Sequence, residues 1–401
     1  MAAPARLIAA AADLVALVSE VRAAGRLALD TEFVWERTYR PVLGVVQVAT
    51  DGAEVAVIDA LAVPDLSPLF PLLRDPAIPV VLHGGGQDLE IFATLMGAPV
   101  RGVVDSQVVA AFLGYGLQVG LGALLERALR VRLRKDQTYT DWTRRPLRPE
   151  QVTYAREDVA HLLALHDQLH AELVRRGRLP WAEEELRDLE DTARFVTTPP
   201  EERYRMVKSW QRLRGRELAV LRALAAWRER AASRANVRPQ FIAHDVVLTS
   251  LAARPVETAD ELRQVRGLSG GTVDRHGRAL LAAIREGLDC PAAQWPEEPG
   301  RVRRRTPPPG LAALLRAAVQ AVAEQEDIAP EVIASARDIE ALGTYALAPD
   351  EGALAGVAVV HGWRRALVGD ALLAIARGEL AMRYDPTRRG VVSDGIPRRP
   401  A

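Results

Sequence analysis

Apolar residues recur at helical spacing over 13–24 (Leu14, Val15, Leu17, Val18, Val21) and then give way to three strand-like runs, 26–32, 43–49 and 54–58. The second and third runs flank Thr50-Asp51-Gly52-Ala53, a hairpin signal because Asp and Gly tolerate positive φ. Helix and strand then alternate: a helix near 66–74, a short strand at 79–82, a helix to about 96, a strand at 102–104 and a helix over 106–113. The last helix of this region opens at Pro149, where proline suits a first turn, and runs to Gly177. Three meandering strands followed by β/α alternation predict an α/β architecture, a mixed sheet flanked by helices, over residues 1–177.

Beyond it the strand periodicity stops. Residues 178–215 carry an acidic run (183–191) and a basic run (203–216), which together predict a charged linker. Residues 216–290 read as a small all-helical unit with a capping box at Thr258-x-x-Glu261 and a glycine loop at 267–271. A Pro- and Arg-rich linker over 291–310 leads to a second, degenerate helical unit at 311–385, and the tail 386–401 is expected to be disordered.

Composition narrows the function classes only slightly. With 52 basic and 52 acidic residues the net charge is zero, which leaves local patches free to bind nucleic acid. No apolar run reaches the length of a membrane span. The Ala-rich N-terminus lacks the basic start and Leu-rich core of a signal peptide. The single cysteine, Cys290, excludes an intrachain disulfide and fits a cytoplasmic setting.

The candidate chemistry lies in carboxylates. On a strand, period two puts Asp30 and Glu32 on one face. Asp88 follows a Gly-rich turn, His83-Gly-Gly-Gly-Gln, at the start of a helix. Tyr154 and Asp158, four apart, share a helix face that continues through Leu162, Leu165 and Leu169 and so points inward. Four converging carboxylates need compensating charge, and divalent cations with a preference for oxygen ligands supply it. Two-metal phosphodiester hydrolysis, with ions about 3.5–4 Å apart, fits this set. Tyr154, with a free pKa of about 10, is suited to orienting the attacking water rather than to acting as a base. Asp105 and His83 read as structural residues, the aspartate as the cap of the helix after it.

The motifs Asp30-Thr-Glu32-Phe33, His83-Gly-Gly-Gly-Gln-Asp88-Leu-Glu-Ile-Phe and Tyr154-Ala-Arg-Glu-Asp158-Val resemble, in order and spacing, those of the DEDD (DnaQ-like) 3′–5′ exonucleases, and within them the ribonuclease D family. Tyr154 marks the tyrosine branch, since the position where the histidine branch would carry its histidine is Thr153. The helical units resemble HRDC domains. The resemblance implies an RNase H-like domain with catalytic residues Asp30, Glu32, Asp88, Tyr154 and Asp158. The four carboxylates would ligate two ions, Mg²⁺ or Mn²⁺. It implies removal of nucleotides from RNA 3′ ends as 5′-monophosphates, with tRNA precursors as substrates held in part by the HRDC units. Phe33, Lys135, Trp142 and Arg145 are further candidates for substrate contact, and Arg266, Arg275 and Arg278 for phosphate contact or a solvated basic face. A DNA exonuclease with the same site and a catalytically dead adaptor remain open alternatives.

Overall fold

The computed structural model describes residues 5–133, 140–191, 198–298, 307–387 and 390–392. The first unit is built on six strands: β1 (Arg6–Ile8), β2 (Leu27–Val34), β3 (Val42–Ala49), β4 (Ala56–Asp59), β5 (Val80–Leu82) and β6 (Val103–Asp105), in the order β1-β4-β3-β2-β5-β6. Only β3 runs against the others. The strand β1 is an element that the Ala-rich start of the chain did not suggest.

Alternation along β2 sorts its residues to two layers. Leu27 and Leu29 pack with Val46, Val48 and Ile58 beneath α1 (Ala11–Ala24), α2 (Phe70–Leu73) and α3 (Gly86–Met96). Ala28 points to the other face, where Ala49 and Val81 meet α4 (Ser106–Ala111) and the helices that follow α5 (Leu121–Leu129). Asp30 and Glu32 continue the Ala28 side by parity.

The expected helix from Pro149 to Gly177 is two helices, α6 (Pro149–Ala160) and α7 (Leu162–Arg176), broken at His161. The break lets each half follow a different partner: Ala155 of α6 packs on Val45 and Val57, while Leu165 and Leu169 of α7 join the α4 core. The break carries no proline or glycine, so packing rather than local propensity makes it.

The charged segments are not linkers. Residues 179–189 form α8 (Leu179–Leu189), whose Ala182 is buried and whose acidic face reaches the far end of the chain. Residues 200–206 form a 3₁₀ stretch with Tyr204 buried, and Val207 and Leu213 also enter a core with the next helices. Those helices are α9 (Gly215–Ala235), α10 (Pro239–Ile242), α11 (Asp245–Ala253), α12 (Ala259–Gln264) and α13 (Gly270–Leu288). The capping box forms as expected, Thr258 accepting from Glu261 N–H and Glu261 accepting from Thr258 N–H. At Gly287 any Cβ would lie 2.4 Å from the Val220 backbone, so glycine permits the close crossing of α13 on α9.

The first half of the expected 291–310 linker is also packed, with Trp295 against Gly215 and Glu298 on the Gly215 N–H. The second unit comprises α14 (Pro309–Glu326), α15 (Pro330–Ile333), α16 (Ala336–Leu347), α17 (Gly362–Arg364), a π-helical turn at 365–369 and α18 (Asp370–Ala376). It echoes the first in detail. Asn236 and Asp327 both end a long helix in the left-handed region (φ 49° and 50°). Each is followed by a four-residue helix opened by Pro239 or Pro330 and closed by Ile-Ala. Within the expected disordered tail, Gly390–Val392 form β8, paired with β7 (Arg383–Asp385) just before it, and the expectation for 393–401 falls outside the described residues.

Candidate active site

The site lies where β2 outruns its parallel neighbour. Strand β5 pairs with β2 only at Leu27 and Ala28, so the carboxyl end of β2 projects beyond it, and the chain leaving β5 turns into α3 beside it. A register shift between Glu32 and Phe33 interrupts the pairing with β3, which resumes at Phe33 with Leu43 and Val34 with Val42. Helix α6 crosses this end of the sheet and brings Tyr154 and Asp158 to it. Asp30, Glu32, Asp88, Tyr154 and Asp158, far apart in sequence, thus share one cleft.

Their electrostatics show how close they are. Burial, then the charges of Asp88, Asp158 and Glu32, push the Asp30 carboxyl well above the usual carboxylate range. Glu32 is pushed up to about 8 by burial and by Asp158 and Asp88. Asp158 is raised to about 7, mainly by burial, and its Oδ2 is buried without a hydrogen-bond partner. Asp88 is raised by burial against the opposing effect of the Thr31 hydroxyl, which donates to its Oδ1. Burial and Asp158 raise the Tyr154 phenol, so it is neutral at physiological pH. Among the described residues no Lys or Arg forms an ion pair with any of the four carboxylates. Nor do three metal-binding side chains already converge on one point among them. Mutual repulsion opposes closer approach. The donor set is entirely oxygen, the kind that Mg²⁺ and Mn²⁺ select, and an orphaned carboxylate oxygen is available in it.

A pH dependence follows. Glu32 and Asp158 titrate near 8 and 7 in the folded protein and near 4 when unfolded. The folded state therefore holds protons that the unfolded chain releases, and the associated stability is complete below about pH 4 and lost as pH rises to about 8. In EDTA, melting temperature should fall between pH 5 and 8. Added Mg²⁺ should stabilise more at pH 8 than at pH 6, because it competes with protons for the same oxygens. Calorimetry with equal Mg²⁺ stabilisation at both pH values would contradict this.

The Asp88 turn has its own support, most of which the sequence did not reveal. Asp105 caps α4 as expected, accepting from Gln107 N–H at 2.9 Å, but it also accepts from Gly84 N–H (2.9 Å) and Gly85 N–H (3.0 Å). One buried carboxylate thus ties the glycine turn to β6. Gly84 sits at φ 66°, a conformation glycine adopts without strain. His83 is structural as expected, bridging Ser106 Oγ (2.9 Å) and the Val119 carbonyl (3.0 Å). Asp105→Ala should leave two turn N–H groups and one in α4 without this acceptor, costing about 2–4 kcal/mol, with activity falling more than the unfolded fraction explains. Unchanged melting and turnover would dismiss this role.

The expected substrate contacts fare differently. Trp142 is 2% exposed and packs on Val45, Val57 and Tyr154, its ring centroid 6.1 Å from the tyrosine's. Arg145 grips Asp59 with both Nε and Nη2 at 2.6 Å and also donates to the Gly44 and Trp142 carbonyls at 2.9 Å. Both side chains are therefore occupied within the fold, fixing the segment that backs Tyr154. Phe33 is half-buried on β2 just past the register shift, and Lys135 lies outside the described residues. Sequence reading also passed over Gln47, fully buried opposite Asp30 with neither side-chain polar atom paired. Its only signal was a lone polar residue inside an apolar strand.

Known proteins resemble this chain over nearly its whole length. A family model for a 3′–5′ exonuclease matches residues 5–174, and one for the HRDC domain matches 217–284. A ribonuclease D of Granulibacter bethesdensis is 39% identical over 398 residues, spanning 97% of each chain. That of Escherichia coli K12 is 35% identical, spanning 90% of this chain and 95% of the relative. The crystal structure of E. coli RNase D, described as an exoribonuclease involved in structured RNA processing, aligns with a TM-score of 0.81 at 33% identity, covering 94% of this chain and 99% of that one.

Proposed function

The chain belongs to the ribonuclease D family of 3′–5′ exoribonucleases, and on that premise we propose that it trims structured RNA, such as tRNA precursors, by two-metal-ion hydrolysis at Asp30, Glu32, Asp88 and Asp158. The observation that carries the reading is the cluster of four mutually repelling carboxylates without a cationic partner among the described residues. Two divalent cations, when bound, supply Lewis-acid activation of water and charge neutralisation at the leaving oxygen. The chain supplies the rest. Asp30 and Glu32 form a rigid pair of ligands because they stand on a strand paired on its β3 side. Thr31 orients Asp88 by its hydroxyl. Tyr154, protonated and backed by Trp142, holds the attacking water in line. The second helical unit is taken as a degenerate HRDC copy on the strength of its matching Asn236/Asp327 and Pro239/Pro330 turns.

The test is a denaturing-gel time course on a 5′-labelled RNA hairpin with an unpaired 3′ tail, with Mg²⁺ or Mn²⁺ and then with EDTA, beside a matched DNA. The expected result is a metal-dependent ladder shrinking by single nucleotides on RNA, with nucleoside 5′-monophosphates released. Equal or faster loss of the DNA would move the substrate to DNA. An intact RNA with both metals would overturn the proposal.

A further inference from the structure

The segment that leaves β2 after Val34 does not run free. Trp35 Nε1 donates to the Tyr39 carbonyl (3.4 Å) and Thr38 Oγ1 to the Val34 carbonyl (3.4 Å), closing residues 34–39 into a compact loop. That loop is fastened to the first helical unit at three points. Tyr39 OH donates to Glu229 Oε2 (3.0 Å), Arg40 N–H to Asn236 Oδ1 (3.3 Å), and Arg238 N–H to the Arg37 carbonyl (3.4 Å). The arginines take part only through their backbones. The side chains of Arg37, Arg40 and Arg238 are exposed, and among the described residues none has an ion-pair partner. The hydrogen-bonded backbones thus bring three exposed arginines to one seam, none of them in an ion pair among the described residues. Three residues on from Arg238 stands Phe241, 61% exposed although a large aromatic.

We infer that this seam between the two units is a binding subsite for single-stranded RNA, taking the nucleotides upstream of the 3′ end held in the carboxylate cleft. Unpaired arginines beside an exposed aromatic suit phosphates alternating with stackable bases. Arg37 follows Glu32 by only five residues, within about 18 Å of it even fully extended, so a strand whose end reaches the cleft passes the seam within a few nucleotides. The inference rests on the exoribonuclease reading above.

The side chains are not part of the clamp, so they can be exchanged without releasing it. The experiment compares wild type with Arg37→Gln/Arg40→Gln/Arg238→Gln and with Phe241→Ala, on a dodecanucleotide and on a dinucleotide, over a salt series. On the dodecanucleotide the triple variant should raise KM at least tenfold with little change in kcat. The slope of log KM against log salt should be about 2 smaller, at about 0.7 for each single-strand phosphate that an arginine no longer neutralises. Phe241→Ala should raise KM about fivefold or more, as loss of one stacked base predicts. On the dinucleotide, which offers the seam one phosphate at most, the three proteins should differ far less. An unchanged KM and slope on the dodecanucleotide would overturn the inference, and so would an equal loss on both substrates, which would mean that the seam acts through the fold. A wild-type protein inert on both RNAs would instead overturn the exoribonuclease reading itself.

Discussion

Asp158→Asn should lower kcat by at least a thousandfold and, in EDTA, raise the melting temperature. Loss of one of the proposed metal ligands would remove several kcal/mol of transition-state stabilisation, and each 1.4 kcal/mol or so is a factor of ten in rate. The stability change has the opposite sign because Asp158 is a repelled charge in the metal-free protein. Its carboxyl is pushed up to about 7 by burial, its Oδ2 has no hydrogen-bond partner, and its charge raises Asp30 and Glu32. Neutralising it should stabilise by about 1–2 kcal/mol at pH 8, a rise of several degrees in a domain of this size. Asp30→Asn should behave alike. Glu150→Gln, an exposed change in the first turn of the same helix, should alter neither quantity. Steady-state kinetics on a short RNA and calorimetry in EDTA read both halves. An aspartate serving only the fold would lose stability with activity, so a fall in melting temperature on Asp158→Asn would defeat the assignment even if turnover vanished.

The pair at 30 and 32 was legible because strand parity is an unconditional geometric rule, and Asp88 because a glycine turn before a helix is a local signal. Tyr154 and Asp158 were legible as a helical pair, although the helix was expected to run on to Gly177 and instead turns at His161. Trp142 and Arg145 show the opposite case. Their place beside the site was evident, but whether an arginine faces a substrate or its own fold depends on Asp59, a partner 86 positions away. The charged stretches misled for a similar reason. Tyr204, Val207 and Leu213 are spaced among arginines and glutamates, and only the helices they pack against reveal them as core. Asp105 was read as a cap, which it is, but its bonds to Gly84 and Gly85 join two elements that only the folded sheet places side by side.

Arg178→Ala should destabilise the protein by about 3–5 kcal/mol, although Arg178 lies within the expected linker. Its side chain is only 5% exposed, bonding to the Phe112 carbonyl at 2.8 Å and to Glu326 Oε2 at 3.0 Å. Removing it takes this cation away from Glu326, itself 12% exposed, and breaking a buried pair costs about that much. Arg178→Lys should restore little, because one ammonium cannot span both acceptors as the guanidinium fork does. Trp363→Ala should cost about as much by a different route. That ring stacks on Trp181 at 5.1 Å, meets Phe112 edge-on at 5.3 Å, and donates Nε1–H to Glu185 at 3.3 Å. Phe112 lies in the exonuclease unit, Trp181 and Glu185 on α8 just after it, and Trp363 and Glu326 in the second helical unit. Their apolar residues form one continuous core. The two units should therefore melt as one transition in wild type, and each variant should lower that transition by about 5–9 °C while kcat at low temperature stays near wild type, since no altered side chain lies in the cleft. Two separate transitions in wild type, or a variant that shifts only a minor one, would mean that the second unit merely rests against the catalytic domain instead of completing its core.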